Sequence, residues 1–254
     1  QTVLQVEIME YSKEFIELIN RLSPTNDEHL QFVGFGNPNS RILLIGKECG
    51  DAPNSFNEIN CNKPNLKHWV KNISAHPLPI DAWHNNPDAV FNPEHPFKGL
   101  PMKELSGGHT WRNYQKIVAV ITNQCSSEIV YFHQYAFITE LNSVTSKYSK
   151  YNSEAKDSIE KRTQQLLCAP FYRNFPITIV CCGHYLDQYN INLEEIFDVK
   201  WEGRTVEVTD NTGKKCGWIN VHYADGRILI HTRHLSMSSG ELINKIIELF
   251  RPYY

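Results

Sequence analysis

Arg41-Ile42-Leu43-Leu44-Ile45-Gly46-Lys47-Glu48-Cys49-Gly50 is the stretch that decides the fold. An unbroken apolar run this short, closed by glycine, reads as a strand buried on both faces and followed by a tight turn. The same pattern recurs at Tyr135-Ala136-Phe137-Ile138-Thr139-Glu140-Leu141 and at Pro176-Ile177-Thr178-Ile179-Val180-Cys181-Cys182-Gly183. A fourth run, Arg227 to Thr232, leads straight through His231. Helical periodicity fills the intervals. Tyr11 to Leu22 has Ser12 as N-cap and Pro24 beyond its end, and Trp111 to Ile121 has Thr110 as cap. Glu154 to Leu167 reads as an exposed helix, and Met237 to Phe250 closes the chain with Ser238 or Ser239 as cap. Strands alternating with helices predict an α/β fold, a three-layer α/β/α arrangement around a central, mostly parallel four-stranded sheet.

Before the last strand the texture changes. Arg204 to Thr209 and Gly217 to Tyr223 are strand-like, and the turns Asp210-Asn211-Thr212-Gly213 and Asp225-Gly226 follow them. These are hairpin signals, expected as a β-hairpin excursion from the sheet. Residues 51–108 are rich in Asn, Pro and His and read as a long irregular loop region, with only Leu66 to Ile73 helical. Residues 1–40 read as an N-terminal helical extension, and residues 1–254 as a single domain.

Composition narrows the class. Apolar residues make up 41% and charged residues 21%, which suits a globular chain and neither a disordered nor a membrane-embedded one. No apolar run is long enough to span a bilayer, and Gln1-Thr2-Val3-Leu4 does not open a signal peptide. The 7 cysteines include no C-x-x-C pair, so zinc and iron–sulfur signatures are absent, and a reducing, cytoplasmic setting is expected. The net charge of −3 argues against non-specific DNA binding through a basic surface. Lys147, Lys150, Lys156, Lys161 and Arg162 form a candidate basic patch, although a solvated helix face explains the last three equally well. His68, His76, His84, His95 and His109, with Asp81 and Asp88, lack the tight spacing of metal ligands and read as surface groups, so neither metal nor cofactor is expected. A monomer without membrane contact is the simplest expectation.

In such folds ligands bind at the carboxyl ends of the strands. The polar groups there are Glu48 after the first strand, Glu140 and Asn142 after the second, and His231-Thr232-Arg233-His234-Leu235-Ser236 after the last. The first and last of these resemble motifs of the uracil-DNA glycosylase superfamily, G-Q-D-P-Y or G-x-N-P-G and H-P-S-P-L-S. The resemblance runs from Arg41 to Phe250 in order of elements and covers about a dozen positions in detail. Cys49 stands where the first motif has proline, Glu48 where it has Asp or Asn, and both prolines of the second motif are missing.

The resemblance implies a DNA or nucleobase-containing ligand. It implies that Glu48 orients water and stabilises the sugar cation, and that His231 donates to the departing base. Gly46 would border the base. Glu140 or Asn142 would read its edge, and Phe97 would stack on it, with Phe56 and Phe91 as rivals. Arg233, His234, Ser236 and Arg112 would contact DNA, although an Arg like Arg112 is more often a surface pair. Leu235 would be the wedge pushed into the duplex, or else a core residue below the last helix. An ionised Glu140 only accepts hydrogen bonds, which predicts a preference for donor-rich base edges over uracil. Three functions fit: a DNA glycosylase, a catalytically silent nucleobase-binding protein of the same fold, or an unrelated hydrolase using the strand-end Glu and His.

Overall fold

The computed structural model describes residues 10–49, 64–75, 91–96, 99–104, 108–124, 128–145 and 151–254. Its strands are β1 (Phe35–Gly36), β2 (Ile42–Gly46), β3 (Phe137–Glu140), β4 (Ile177–Val180), β5 (Lys200–Thr209), β6 (Lys215–Ala224) and β7 (Arg227–Thr232). They form one mixed sheet in the order β1-β3-β2-β4-β7-β6-β5. The pairs β2–β3, β2–β4 and β4–β7 are parallel. The sheet therefore has seven strands rather than four. The expected excursion is no excursion: β6 pairs antiparallel with β7 from Ile219↔Thr232 to Ala224↔Arg227, and β5 continues outward from it. Gly213 and Gly226 take positive φ of 84° and 65° in the two turns that allow this.

The helices are α1 (Lys13–Leu22), α2 (Asn65–Ser74), α3 (Gly108–Thr122), α4 (Ser153–Arg162), α5 (Pro170–Arg173), α6 (Tyr185–Gln188), α7 (Leu193–Phe197) and α8 (Gly240–Phe250). Ser12 and Ser239 cap α1 and α8 through their side chains. Thr110 does not cap α3, which already begins at Gly108. Successive residues of the central strands feed two separate cores. Ile42 and Leu44 join Ile179 and Ile230 beneath α3 and α8, while Leu43 and Ile45 join Val180 and Leu229 beneath α1, α2 and α4. Burial on both faces is why these strands read as continuous apolar runs. Phe15, Leu18, Ile19 and Leu22 place α1 inside the second core, so it covers the sheet.

The expected helix from Glu154 to Leu167 divides. α4 ends at Arg162, and Thr163–Leu167 form a wider π turn. Arg162 at the junction points inward and is fully buried, so it does not belong to a surface basic patch. Its Nη1 donates to the carbonyls of His29 at 2.9 Å and Phe32 at 2.7 Å. Its Nη2 donates to the Glu140 carbonyl at 2.8 Å and to Thr139 Oγ1 at 3.2 Å, and Nε also reaches the Glu140 carbonyl. Lys156 and Lys161 pair instead with Glu160 and with Asp27 and Asp157. Lys147 and Lys150 lie outside the described residues.

Replacing Arg162 with Met would keep the aliphatic stem and strand three buried carbonyls without donors. Each such orphan costs about 1–3 kcal/mol. Arg162→Met should therefore lower the unfolding free energy by at least about 3 kcal/mol in urea titration. A loss below 1 kcal/mol would show that the guanidinium does not hold these segments together.

Candidate functional site

Two carboxyl groups sit at the ends of neighbouring strands. Gly46 of β2 pairs with Glu140 of β3, and the chain then stays in register: Leu141 N–H donates to the Gly46 carbonyl at 2.9 Å and Asn142 N–H to the Lys47 carbonyl at 2.8 Å. The Glu140 side chain folds back over Gly46. A Cβ there would lie 2.1 Å from Glu140 Oε2, so only glycine leaves room for this carboxyl. Oε2 is shut off from solvent and has no hydrogen-bond partner among the described residues. Burial, then the nearby Glu48 charge, push the Glu140 carboxyl up to about 8, against the partial relief that Arg162 offers. Glu140 therefore carries its proton at neutral pH. The premise that it only accepts hydrogen bonds is overturned: a neutral carboxyl offers one donor and one acceptor, as an amide does.

Glu48, three residues beyond the end of the Ile42–Ile45 run, accepts a short hydrogen bond from the Tyr185 hydroxyl. Tyr185 is placed by the turn after β4, where Gly183 has φ 54°, and Lys47 Nζ lies 5.0 Å from the centre of its ring. Cys49, in the position of the motif's proline, is buried and disulfide-bonded, which departs from the expectation of reduced thiols throughout. Cys168, Cys181, Cys182 and Cys216 are free. Burial pushes the Cys181 and Cys182 thiols up, away from thiolate chemistry.

The ends of β2, β4 and β7 meet at a cavity of about 860 Å³, bordered by Lys47, Gly183, His231, Arg233, His234 and Ser236. Its outer wall is the β5–β6 hairpin. Glu48 and Glu140 do not line it. The structure thus brings His231, Arg233, His234 and Ser236 together at the cavity and leaves the carboxyl pair outside its lining.

The two imidazoles differ in which nitrogen carries the hydrogen. His231 Nε2 is 3.1 Å from the Gly183 carbonyl, which can only accept, so Nε2 holds the hydrogen and Nδ1 is left as an acceptor. Burial lowers its pKa to about 4, so the ring is neutral and does not donate further. The expected role of His231 as donor to a base does not fit this arrangement. In His234 the polarity is reversed. Nδ1 accepts from Ser236 N–H at 3.4 Å and lies 2.8 Å from its hydroxyl, which places the hydrogen on Nε2. Burial and then Lys47 lower its pKa to about 4 as well. His234 is the imidazole with an N–H to offer.

Other expected residues fall elsewhere. Leu235 is 0% exposed, and its carbonyl accepts from Asn113 Nδ2 at 2.6 Å, so it fills the core below α3 and is not a wedge. Asn142 is buried, and its side chain closes a turn on Val144, accepting from its N–H at 2.9 Å and donating to its carbonyl at 3.3 Å. It does not read a base. Arg112 is exposed on α3 and takes no part in the cavity. Phe91 is buried against His68. Phe97 and Phe56 lie outside the described residues, as do His76, His84, Asp81 and Asp88. Among the described residues no three His, Cys, Asp or Glu side chains gather as a metal site, and no helix is long and apolar enough to cross a membrane.

Residues that sequence reasoning passed over are Lys47, Tyr185, Trp218 and His222. Lys47 and Tyr185 lie within or next to strand-end glycine motifs, so position alone could have flagged them. No known protein family, curated protein or solved structure matches the chain.

Glu140 holds a proton when folded and releases it when unfolded between pH 4.5 and about 8, so its contribution to stability falls as pH rises through that window. His231 and His234 do the opposite, losing stability as pH falls from 6.5 to about 4. The urea midpoint of the parent should therefore rise from pH 5 to about 6.5, where the two histidines outweigh Glu140, and decline from about 6.5 to 8, and Glu140→Gln should remove that decline. Identical slopes in parent and variant would mean that Glu140 is ionised in the fold. Gly46→Ala should destabilise by about 1–3 kcal/mol through overpacking, and by less when combined with Glu140→Ala.

Proposed function

We propose that the chain acts on a base in nucleic acid by hydrolysing its N-glycosidic bond, as a divergent relative of the uracil-DNA glycosylases. The observation that carries this reading is the neutral, unpartnered Glu140 carboxyl set beside Glu48 across Gly46. A carboxyl that burial keeps protonated, next to a second carboxyl, suits acid–base work on one substrate. Glu48 serves as the charged partner, aligning water and stabilising the sugar cation, with Tyr185 fixing its orientation. Glu140 reads an adjacent donor and acceptor on the base, which leaves uracil among the substrates. His234 Nε2–H takes over the donor role first expected of His231.

A catalytically silent base-binding protein is the second reading. It is favoured by one observation: His231 is already committed to the Gly183 carbonyl.

Incubation with oligonucleotides carrying uracil, hypoxanthine or other modified bases, followed by alkali cleavage at abasic sites, separates the two. Strand breaks with at least one base are expected, and Glu48→Gln should slow them about 10²-fold or more. The rate should fall as pH rises through about 8, when Glu140 loses its proton, and should be insensitive to pH between about 5 and 7. Binding without breaks under any of these conditions favours the silent reading.

A further inference from the structure

The outer half of the cavity plays no part in the chemistry proposed for the carboxyl pair, yet it is built with equal care. Trp218, Asn220 and His222 alternate along β6 and so share one face of the hairpin. The register sets Asn220 opposite Thr205 on β5 and His231 on β7, and His222 opposite Trp201. Trp218 meets the His231 ring edge-on at 4.9 Å. Trp201 is 47% exposed, a large aromatic surface left open at the cavity rim. His222 is only 7% exposed and its Nδ1 has no hydrogen-bond partner. Burial keeps that ring neutral, against the pull of Glu194 and of the carbonyls of Leu229 and Asn220. Asn220 Oδ1 accepts from the Thr205 hydroxyl at 2.7 Å, which leaves its NH₂ for a ligand.

The inner end differs in charge. Lys47 and Arg233 line it, and neither forms an ion pair among the described residues. His234 adds its Nε2–H there. Asp187 and Glu194 lie on the helical wall facing the hairpin, and Glu194 is already engaged by Trp201 N–H at 3.1 Å and Lys200 at 3.8 Å. An anion is therefore repelled from that wall and drawn to the strand ends. A planar ring finds tryptophan faces and neutral polar groups at the hairpin.

We propose that this cavity is a nucleotide-binding site, with the phosphate held by Lys47 and Arg233 and the base stacked on the Trp201 and Trp218 wall, its edge toward His222 and Asn220. The volume of about 860 Å³ accommodates one nucleotide. The ligand is either a free nucleotide or one unit of a single strand, since both present the same phosphate and base. The site does not depend on base cleavage: Glu48→Gln, which should slow cleavage, changes a side chain outside the cavity lining and should leave nucleotide binding as it is, so the two readings fail separately.

Titration of intrinsic tryptophan fluorescence with the four common nucleoside 5′-monophosphates, the matching nucleosides, inorganic phosphate and a short single-stranded oligonucleotide tests this. Saturable quenching by at least one monophosphate or by the oligonucleotide is expected. Trp201→Ala, at an exposed position that leaves the core intact, should weaken it about tenfold, in line with the loss of one stacking contact. Arg233→Gln should weaken binding of a monophosphate while leaving that of its nucleoside unchanged. Binding of the oligonucleotide alone, weakened by both variants, supports the site and assigns it to a strand. No saturable binding by either class, affinity unchanged in both variants, or inorganic phosphate binding as well as the monophosphates would each overturn it.

Discussion

A single buried guanidinium organises this molecule. Arg162 reaches from the end of α4 to the carbonyls of His29, Phe32 and Glu140 and to the Thr139 hydroxyl. Its ring-like plane also lies 5.7 Å from the centre of Phe32. Two segments distant in sequence, 29–32 and 139–140, thus share one donor set on α4, and a planar fork with five N–H groups is the side chain able to serve them together. Such a cation is normally expected to have a carboxylate beside it. Here the nearest carboxyl, Glu140, is neutral, so backbone dipoles carry most of the compensation. Burial draws the Arg162 pKa down only to about 10, which still leaves it charged.

That arrangement governs the strand-end site. Because Arg162 holds the Glu140 carbonyl, the end of β3 is fixed, and its carboxyl turns over Gly46 toward Glu48. Glu48 in turn is oriented from the opposite side by Tyr185, after the Gly183 turn. The imidazoles lie one strand further on, facing the hairpin. The molecule therefore has two chemically distinct halves: a carboxyl pair over β2 and β3, and a cavity with cations at one end and aromatic rings at the other over β7, β6 and β5.

The parts of this design that the sequence discloses are those with local causes. Apolar runs such as Ile42–Ile45 and Ile177–Val180, short and closed by polar or glycine residues, read as buried strands, and Asp225-Gly226 reads as a tight turn, because burial on both faces and positive φ each favour particular residues. The location of the polar groups at the strand ends follows from the same runs. What stays hidden depends on contacts distant in sequence. Nothing near Arg162 signals that it points inward, since its neighbours Lys161 and Glu160 are solvated and the π turn leaves no mark in composition. The hairpin reads as a hairpin, but its pairing with β7 is a long-range event that enlarges the sheet to seven strands. The protonation of Glu140 and the tautomers of His231 and His234 depend on a carbonyl, a hydroxyl and a charge contributed by other elements.

The β5–β6 hairpin carries a consequence of a different kind. Its strands are long, its far edge bears Lys200, Glu202, Arg204 and Glu207 on exposed positions, and its tip is a turn held by Asp210. Charges along that edge discourage another chain from adding to the sheet. The tryptophan wall belongs to this hairpin, whereas the carboxyl pair belongs to β2 and β3. Substitutions along β5 and β6 can accordingly reshape what the cavity admits without touching the Glu48–Glu140 pair. The two halves are thus separable by substitution: one is constrained by Arg162 and Gly46, the other by the side chains of the hairpin.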